Sequence, residues 1–200
     1  MKRASALLTT LLLFAAACGV EDEPVLAGTE LEPNFDVGGQ SLPAVNRGGE
    51  DFAFRADEGE MLLVYFAFTN CPDFCPTTLS DARFAYDELG ERATDIDVAV
   101  ITIDPGRDTE EILTSYVEAF FPDGIALRTE DQDRLRETAF AFGADYRITE
   151  NEEGETEVGH TTRLFAVDDT GALLLSWPFG VTIDDYVNDF NILLDRIEAA

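Results

Sequence analysis

The sequence predicts an α/β domain: a central mixed β-sheet flanked by helices, preceded by an N-terminal extension. Two nearly unbroken apolar runs, residues 61–68 and 97–103, read as strands buried on both faces. Each hands over to a segment whose apolar residues recur at helical spacing. A β-hairpin and an amphipathic helix close the chain, so parallel and antiparallel neighbours share one sheet.

The first residues are not part of that domain. Lys2 and Arg3 precede an apolar segment, residues 6–17, that stops at Cys18-Gly19. A basic start, a short apolar run and small residues before a cysteine make a secretory signal over residues 1–17. The run is too short for a confident transmembrane helix. Ala15-Ala16-Ala17-Cys18 resembles a bacterial lipobox, with alanine at the usual leucine position. That resemblance implies cleavage before Cys18, a lipid on its thiol, and an extracytoplasmic chain anchored to a bacterial membrane. Gly19 favours the outer membrane where there are two. Residues 18–46 are acidic and rich in Gly and Pro, and read as a tether leading into extended structure. The domain is expected over residues 47–200.

Within it, residues 48–54 supply a turn and a short alternating strand. The buried strand at 61–68 ends on Cys71-Pro72 and Cys75-Pro76, and a helix is expected from Pro76 to about Leu89. The second core strand stops at Asp104-Pro105-Gly106. Asp108 or Thr109 can cap the next helix, which runs to about Phe121 with Glu110 and Glu111 in its first turn. A short strand at 125–128 precedes a third helix near 131–142. Residues 145–148 are extended, and 151–155 form an acidic hairpin tip. Residues 158–167 read as one strand, 168–171 as a turn into a strand at 172–177, and 183–197 as the last helix. This order is thioredoxin-like, an arrangement in which the first core strand delivers its cysteines to a helix N-terminus at the exposed end of the sheet.

Charge narrows the function. The chain carries 41 acidic residues against 13 Lys plus Arg, a formal charge of −28, and Lys2 is its one lysine. Nucleic-acid binding, which needs a positive footprint, is therefore not expected. A chain of this length buries a core without disulfide staples. With Cys18 acylated, Cys71 and Cys75 are the remaining thiols, in a compartment where disulfides persist. The helix N-terminus beside them is expected to lower their pKa values.

Three residues separate Cys71 from Cys75, one more than in a thioredoxin-type motif. Such a loop can hold both sulfurs toward one cation, or close into a disulfide. His160 is the single histidine, and a lone histidine is often structural. Beside an exported dithiol it is the obvious third ligand. Two thiolates and one imidazole suit Cu(I) in a trigonal site, and Cu(II) with an added ligand. A closed structural zinc site would want a fourth protein ligand. Asp104 is a candidate acceptor or proton carrier on the same edge of the sheet, or a partner in a local loop with Arg107 and Asp108. Asp73 either tunes the loop electrostatically or is a solvated turn residue.

The run from Phe66 through Thr69, Cys71, Pro72, Asp73, Cys75 and Pro76, then Asp104-Pro105-Gly106-Arg107-Asp108-Thr109, then Gly159-His160-Thr161, resembles the SCO/SenC family of copper chaperones. Asn70 stands where many members carry a histidine, and Gly159 where aspartate is common; neither is one of the three ligands. The resemblance implies a thioredoxin-like fold and copper held by Cys71, Cys75 and His160. It also implies delivery of that copper to the CuA centre of cytochrome c oxidase, or reduction of that centre's cysteines. The expected partner is the CuA-bearing oxidase subunit or another copper chaperone, met by a monomer rather than by an enzyme with turnover. A thiol–disulfide oxidoreductase is the alternative and would not need His160. A peroxide-reducing protein would need a cation beside its cysteine, for which Arg107 is the candidate.

Overall fold

The structure, a computed structural model, describes residues 25–31 and 35–199. The signal segment and Cys18 lie outside the described residues. No helix among the described residues is long and apolar enough to cross a membrane.

Four short or core strands open the domain: β1 (Thr29–Glu30), β2 (Ser41–Pro43), β3 (Asp51–Ala53) and β4 (Met61–Ala67). Helix α1 (Phe74–Glu88) follows, then β5 (Ile96–Thr102), α2 (Glu110–Phe120), β6 (Ile125–Leu127) and α3 (Gln132–Ala141). The hairpin β7 (Tyr146–Glu150) and β8 (Thr156–His160) precedes β9 (Arg163–Val167), β10 (Leu173–Pro178) and α4 (Ile183–Glu198). The central sheet has the order β1-β10-β9-β4-β5-β6. Strands β4, β5 and β6 are parallel, and β9 joins β4 antiparallel. This is the expected thioredoxin-like mixed sheet.

Every residue of β4 is buried, as a strand between two helical layers requires. Successive side chains face opposite layers. Tyr65 points toward Thr78 of α1, while Phe66 packs edge-on against Phe142 at the end of α3, with centroids 5.4 Å apart. Phe142 also meets Phe54 and Phe165, so one aromatic cluster seals that layer. On the other, Trp177 of β10 lies against Tyr186 and Phe190 of α4. Thr109 caps α2, and Thr182 and Asp185 form a capping box on α4.

Three elements differ from the sequence reading. Helix α1 begins at Phe74, with Asp73 at its cap, so Cys75 and Pro76 are already helical. Pro76 is tolerated there because N–H groups of the first turn have no intrahelical partner. The run at 158–167 is two strands, broken at Thr161-Thr162, and β8 pairs with β7 outside the central sheet. The described part of the extension is not a free tether: Val37 and Leu42 are fully buried, and β1 pairs with β10 at the sheet edge.

Candidate metal centre

The C-terminal ends of β4 and β5 open onto the same edge of the sheet, because the two strands are parallel and in register from Met61 with Ile96 to Ala67 with Thr102. The chain leaving β4 turns at once: the Cys71 amide donates to the Phe68 carbonyl at 3.1 Å. Cys71 is buried to 7 % exposure and Cys75 fully. Both are free thiols. The Cys75 backbone N–H, in the first turn of α1, donates to Cys71 Sγ at 3.3 Å. One orphan donor of the helix N-terminus is thereby spent on a sulfur.

His160 arrives from the separate hairpin as the last residue of β8. Its Nε2 lies 3.5 Å from Cys75 Sγ, and its Nδ1 lies 2.9 Å from the Thr161 carbonyl oxygen. A carbonyl can only accept, so Nδ1 carries the proton and Nε2 presents its lone pair to the sulfurs. The rings of Phe68 and Tyr65 flank the imidazole edge-on, with centroids 5.8 and 6.4 Å away. Burial lowers the His160 pKa from its ordinary 6.5, against the pull of the Thr161 carbonyl. The imidazole is thus kept neutral, the form that ligates.

The expected lowering of thiol pKa fails at Cys75. Burial pushes this thiol well above its ordinary 9.0, and its hydrogen bond to Cys71 adds to the rise. The helix N-terminus does not offset that, because the amide that reaches a sulfur reaches Cys71. Desolvation of the anion outweighs the dipole at a fully buried position. Without a cation, the pocket favours a protonated Cys75.

The Cys71 and Cys75 sulfurs and a His160 nitrogen all lie within 4.8 Å of one another. Among the described residues this is the one cluster of three or more His, Cys, Asp or Glu donors with metal-binding spacing. Metal bonds of the length zinc makes to nitrogen and sulfur would set two donors of a trigonal site about 3.7 Å apart. The Cys75–His160 separation of 3.5 Å is close to that. The arrangement is the size of a single ion. A cleft of about 260 Å³ lined by Arg83, Tyr86, Ile96, Phe121 and Asp123 shares none of these residues.

The two acidic candidates lie apart from the donors. Asp104 is buried and pairs with Arg107, while the Asp108 carboxylate turns to Thr69 and Thr102. Asp73 is exposed and accepts from the Thr77 hydroxyl at 3.5 Å. Neither carboxylate hydrogen-bonds Cys71, Cys75 or His160. Arg107, committed to Asp104, supplies no cation to the sulfurs.

Sequence reasoning missed Asp108 as a residue of the site's frame. Its fully buried carboxylate accepts from the Thr69 N–H at 3.1 Å, the Thr69 hydroxyl at 2.5 Å and the Thr102 hydroxyl at 2.6 Å. It therefore ties the loop carrying Cys71 to the end of β5. A carboxylate next to a helix cap reads as the cap itself. The available signal was a polar residue at both strand ends, Thr69 and Thr102, facing one acid.

A thioredoxin-like sheet whose strand-end dithiol is completed by a histidine from a separate hairpin defines a class of metal-handling proteins. The SCO1/SenC family model matches residues 34–195, and the chain belongs to that family. An SCO2-like protein of Rickettsia prowazekii is 31% identical over 142 residues, covering 70% of this chain and 68% of the relative. The apo Sco1 protein of Thermus thermophilus superposes with a TM-score of 0.68 at 28% identity, covering 88% of this chain and 98% of that one. The ScoI protein of Arabidopsis thaliana, solved with copper bound, shares the fold with a TM-score of 0.68 at 24% identity, over 82% of this chain and 99% of its own.

Proposed function

We propose that this chain is a membrane-tethered copper chaperone that binds one copper ion through Cys71 Sγ, Cys75 Sγ and His160 Nε2, and delivers it for assembly of the CuA centre of cytochrome c oxidase. The observation that carries this reading is the convergence of two sulfurs and one imidazole nitrogen within 4.8 Å. Soft thiolates with imidazole are the donor set copper prefers, and three donors leave room for an acceptor ligand to enter. Members of the Sco family are cytochrome c oxidase assembly proteins, which supports the proposed destination.

Copper is cargo here. Both thiols lose their protons as the ion binds, and the protons pass to solvent. Burial makes that loss costly at Cys75, so an acceptor that returns a proton to this sulfur as it withdraws the metal lowers the barrier to release. His160 needs no such exchange, because its proton stays on Nδ1, donated to the Thr161 carbonyl oxygen throughout. Lipid attached at Cys18 would hold the domain on the extracytoplasmic side.

The dithiol supports a second reading, a thiol–disulfide reductase acting on CuA-site or other exported cysteines. Both thiols are free, a state that copper binding and disulfide reduction share. Cys71, the more exposed of the two sulfurs and the one that accepts a helix N-terminal amide, would be the attacking sulfur. Anaerobic Cu(I) titration of the reduced domain against a competing chelator, with His160→Ala alongside, separates the two. One tight copper per chain, weakened tenfold or more by the substitution, supports the chaperone. Weak binding indifferent to His160 supports the reductase.

A further inference from the structure

The position of the N-terminal segment fixes how the site is presented. Strand β1 runs antiparallel to β10, with Thr29 opposite Ser176 and Glu30 opposite Leu175. Strand β10 is antiparallel to β9, and β9 to β4, so β10 and β4 point the same way. The chain therefore enters β1 from the edge at which β4 ends and the cysteines lie. That entry is clamped. The Asp189 carboxylate, fully buried on α4, accepts from the Ala27 N–H at 3.0 Å, the Gly28 N–H at 2.8 Å and the Trp177 indole N–H at 2.8 Å. The Asn188 side chain also donates to the Val25 carbonyl at 3.1 Å. Gly28 passes so close to β10 that a Cβ would stand 2.5 Å from the Leu175 side chain.

We propose that the edge carrying Cys71, Cys75 and His160 faces the membrane, held there by a short tether fixed to the domain at Asp189. The proposal rests on the reading of Cys18 as the lipid-bearing residue. Cys18 to Val25 is seven peptide steps, which reach at most about 25 Å when fully extended. A domain clamped at Val25–Gly28 presents the edge from which its tether emerges. Exposed apolar side chains are found on this side: Phe74, between the cysteines, packs against Phe179, just beyond β10, with centroids 4.8 Å apart. The site would then meet acceptors that hold their own copper ligands close above the bilayer.

The test uses the full-length mature lipoprotein in vesicles of phosphatidylethanolamine and phosphatidylglycerol doped with dansyl-headgroup lipid. Tryptophan is introduced by Phe179→Trp on the site edge, or by Glu58→Trp in the exposed turn before β4, at the other end of a strand about 23 Å long. Each is read against the parent chain, whose Trp177 is common to both. Energy transfer to the headgroups at least twofold greater from position 179 than from position 58 is expected. Equal transfer, or more from 58, overturns the orientation. Asp189→Asn, shown folded by circular dichroism, should abolish the difference; an unchanged difference overturns the clamp. Vesicle flotation and intact mass test the anchor separately: an unacylated chain that stays at the bottom of the gradient overturns the anchor and the proposal with it. Copper titration of the soluble domain is independent of all these outcomes.

Discussion

Asp108 holds Thr69 by two atoms at once, the backbone nitrogen at 3.1 Å and the hydroxyl at 2.5 Å, and Thr69 is two residues ahead of Cys71. The carboxylate is fully buried, so its loss leaves the buried Thr102 hydroxyl and the half-buried Thr69 hydroxyl and amide without their acceptor. Asp108→Ala is expected to cost about 3 kcal/mol of stability, read by urea unfolding. Asp108→Asn keeps one acceptor oxygen and should lose roughly half as much. Copper affinity of Asp108→Asn should fall while its three donors remain intact, and unchanged affinity would separate Asp108 from the site.

Removal of a donor should be graded by what it leaves. Cys75→Ser should abolish stable copper binding, because a hydroxyl is a poor ligand for a soft ion. His160→Ala should weaken it at least tenfold, about 1.4 kcal/mol. Asn70→Ala should change it little. Equal affinities in the three variants, measured by chelator competition, would remove the proposed site.

The metal-free domain should lose stability at both ends of the pH range. His160 has a folded pKa below its ordinary 6.5, so the unfolded chain takes up its proton first as pH falls. Its contribution is complete above about 6.5 and declines as pH drops toward the lowered folded value. Cys75 has a folded pKa above its ordinary 9.0, so the unfolded chain loses its proton first as pH rises. Its contribution is complete below about 9 and declines above. Thermal unfolding of His160→Gln should flatten the first limb, and that of Cys75→Ser the second. Buried Tyr65 and Tyr116 also add an alkaline loss above their ordinary 10.0, chiefly through desolvation, and that part persists in Cys75→Ser.

Tyr116 carries a buried hydroxyl with no hydrogen-bond partner. Tyr116→Phe removes an unsatisfied group and keeps the ring that packs on Phe120. Stability should hold or rise by up to about 1 kcal/mol, measured by the denaturation midpoint.

The cysteine-bearing strand and helix were legible because a doubly buried strand writes itself as continuous apolar residues, and β4 is buried at every position. The fold class followed from the order of such segments. The break at Thr161-Thr162 was not legible, since a run from Val158 to Val167 has strand composition throughout. Only tertiary context shows that its first half is largely exposed and its second buried. The extension was misjudged for a related reason: Val37 and Leu42 are isolated apolar residues among Gly, Pro and acids, yet both are fully buried. The raised pKa of Cys75 was hidden because helix placement is local and burial is not.

Two of the three donors belong to a buried strand–helix junction, and the third to a two-stranded ribbon whose residues beyond Tyr146 are mostly solvated. That ribbon is closed at its base, beside His160, by the Thr161 N–H to the Asp145 carbonyl at 2.8 Å and the Asp145 N–H to the Thr161 hydroxyl at 3.0 Å. Withdrawal of His160 therefore opens the base of the hairpin, where it pairs with Tyr146, and its contacts with Phe68 and Tyr65, a local event smaller than global unfolding. The sulfurs can retain their grip while the imidazole lets go, so the residence time of the ion is governed by opening at the hairpin base and can be tuned there without loosening the central sheet.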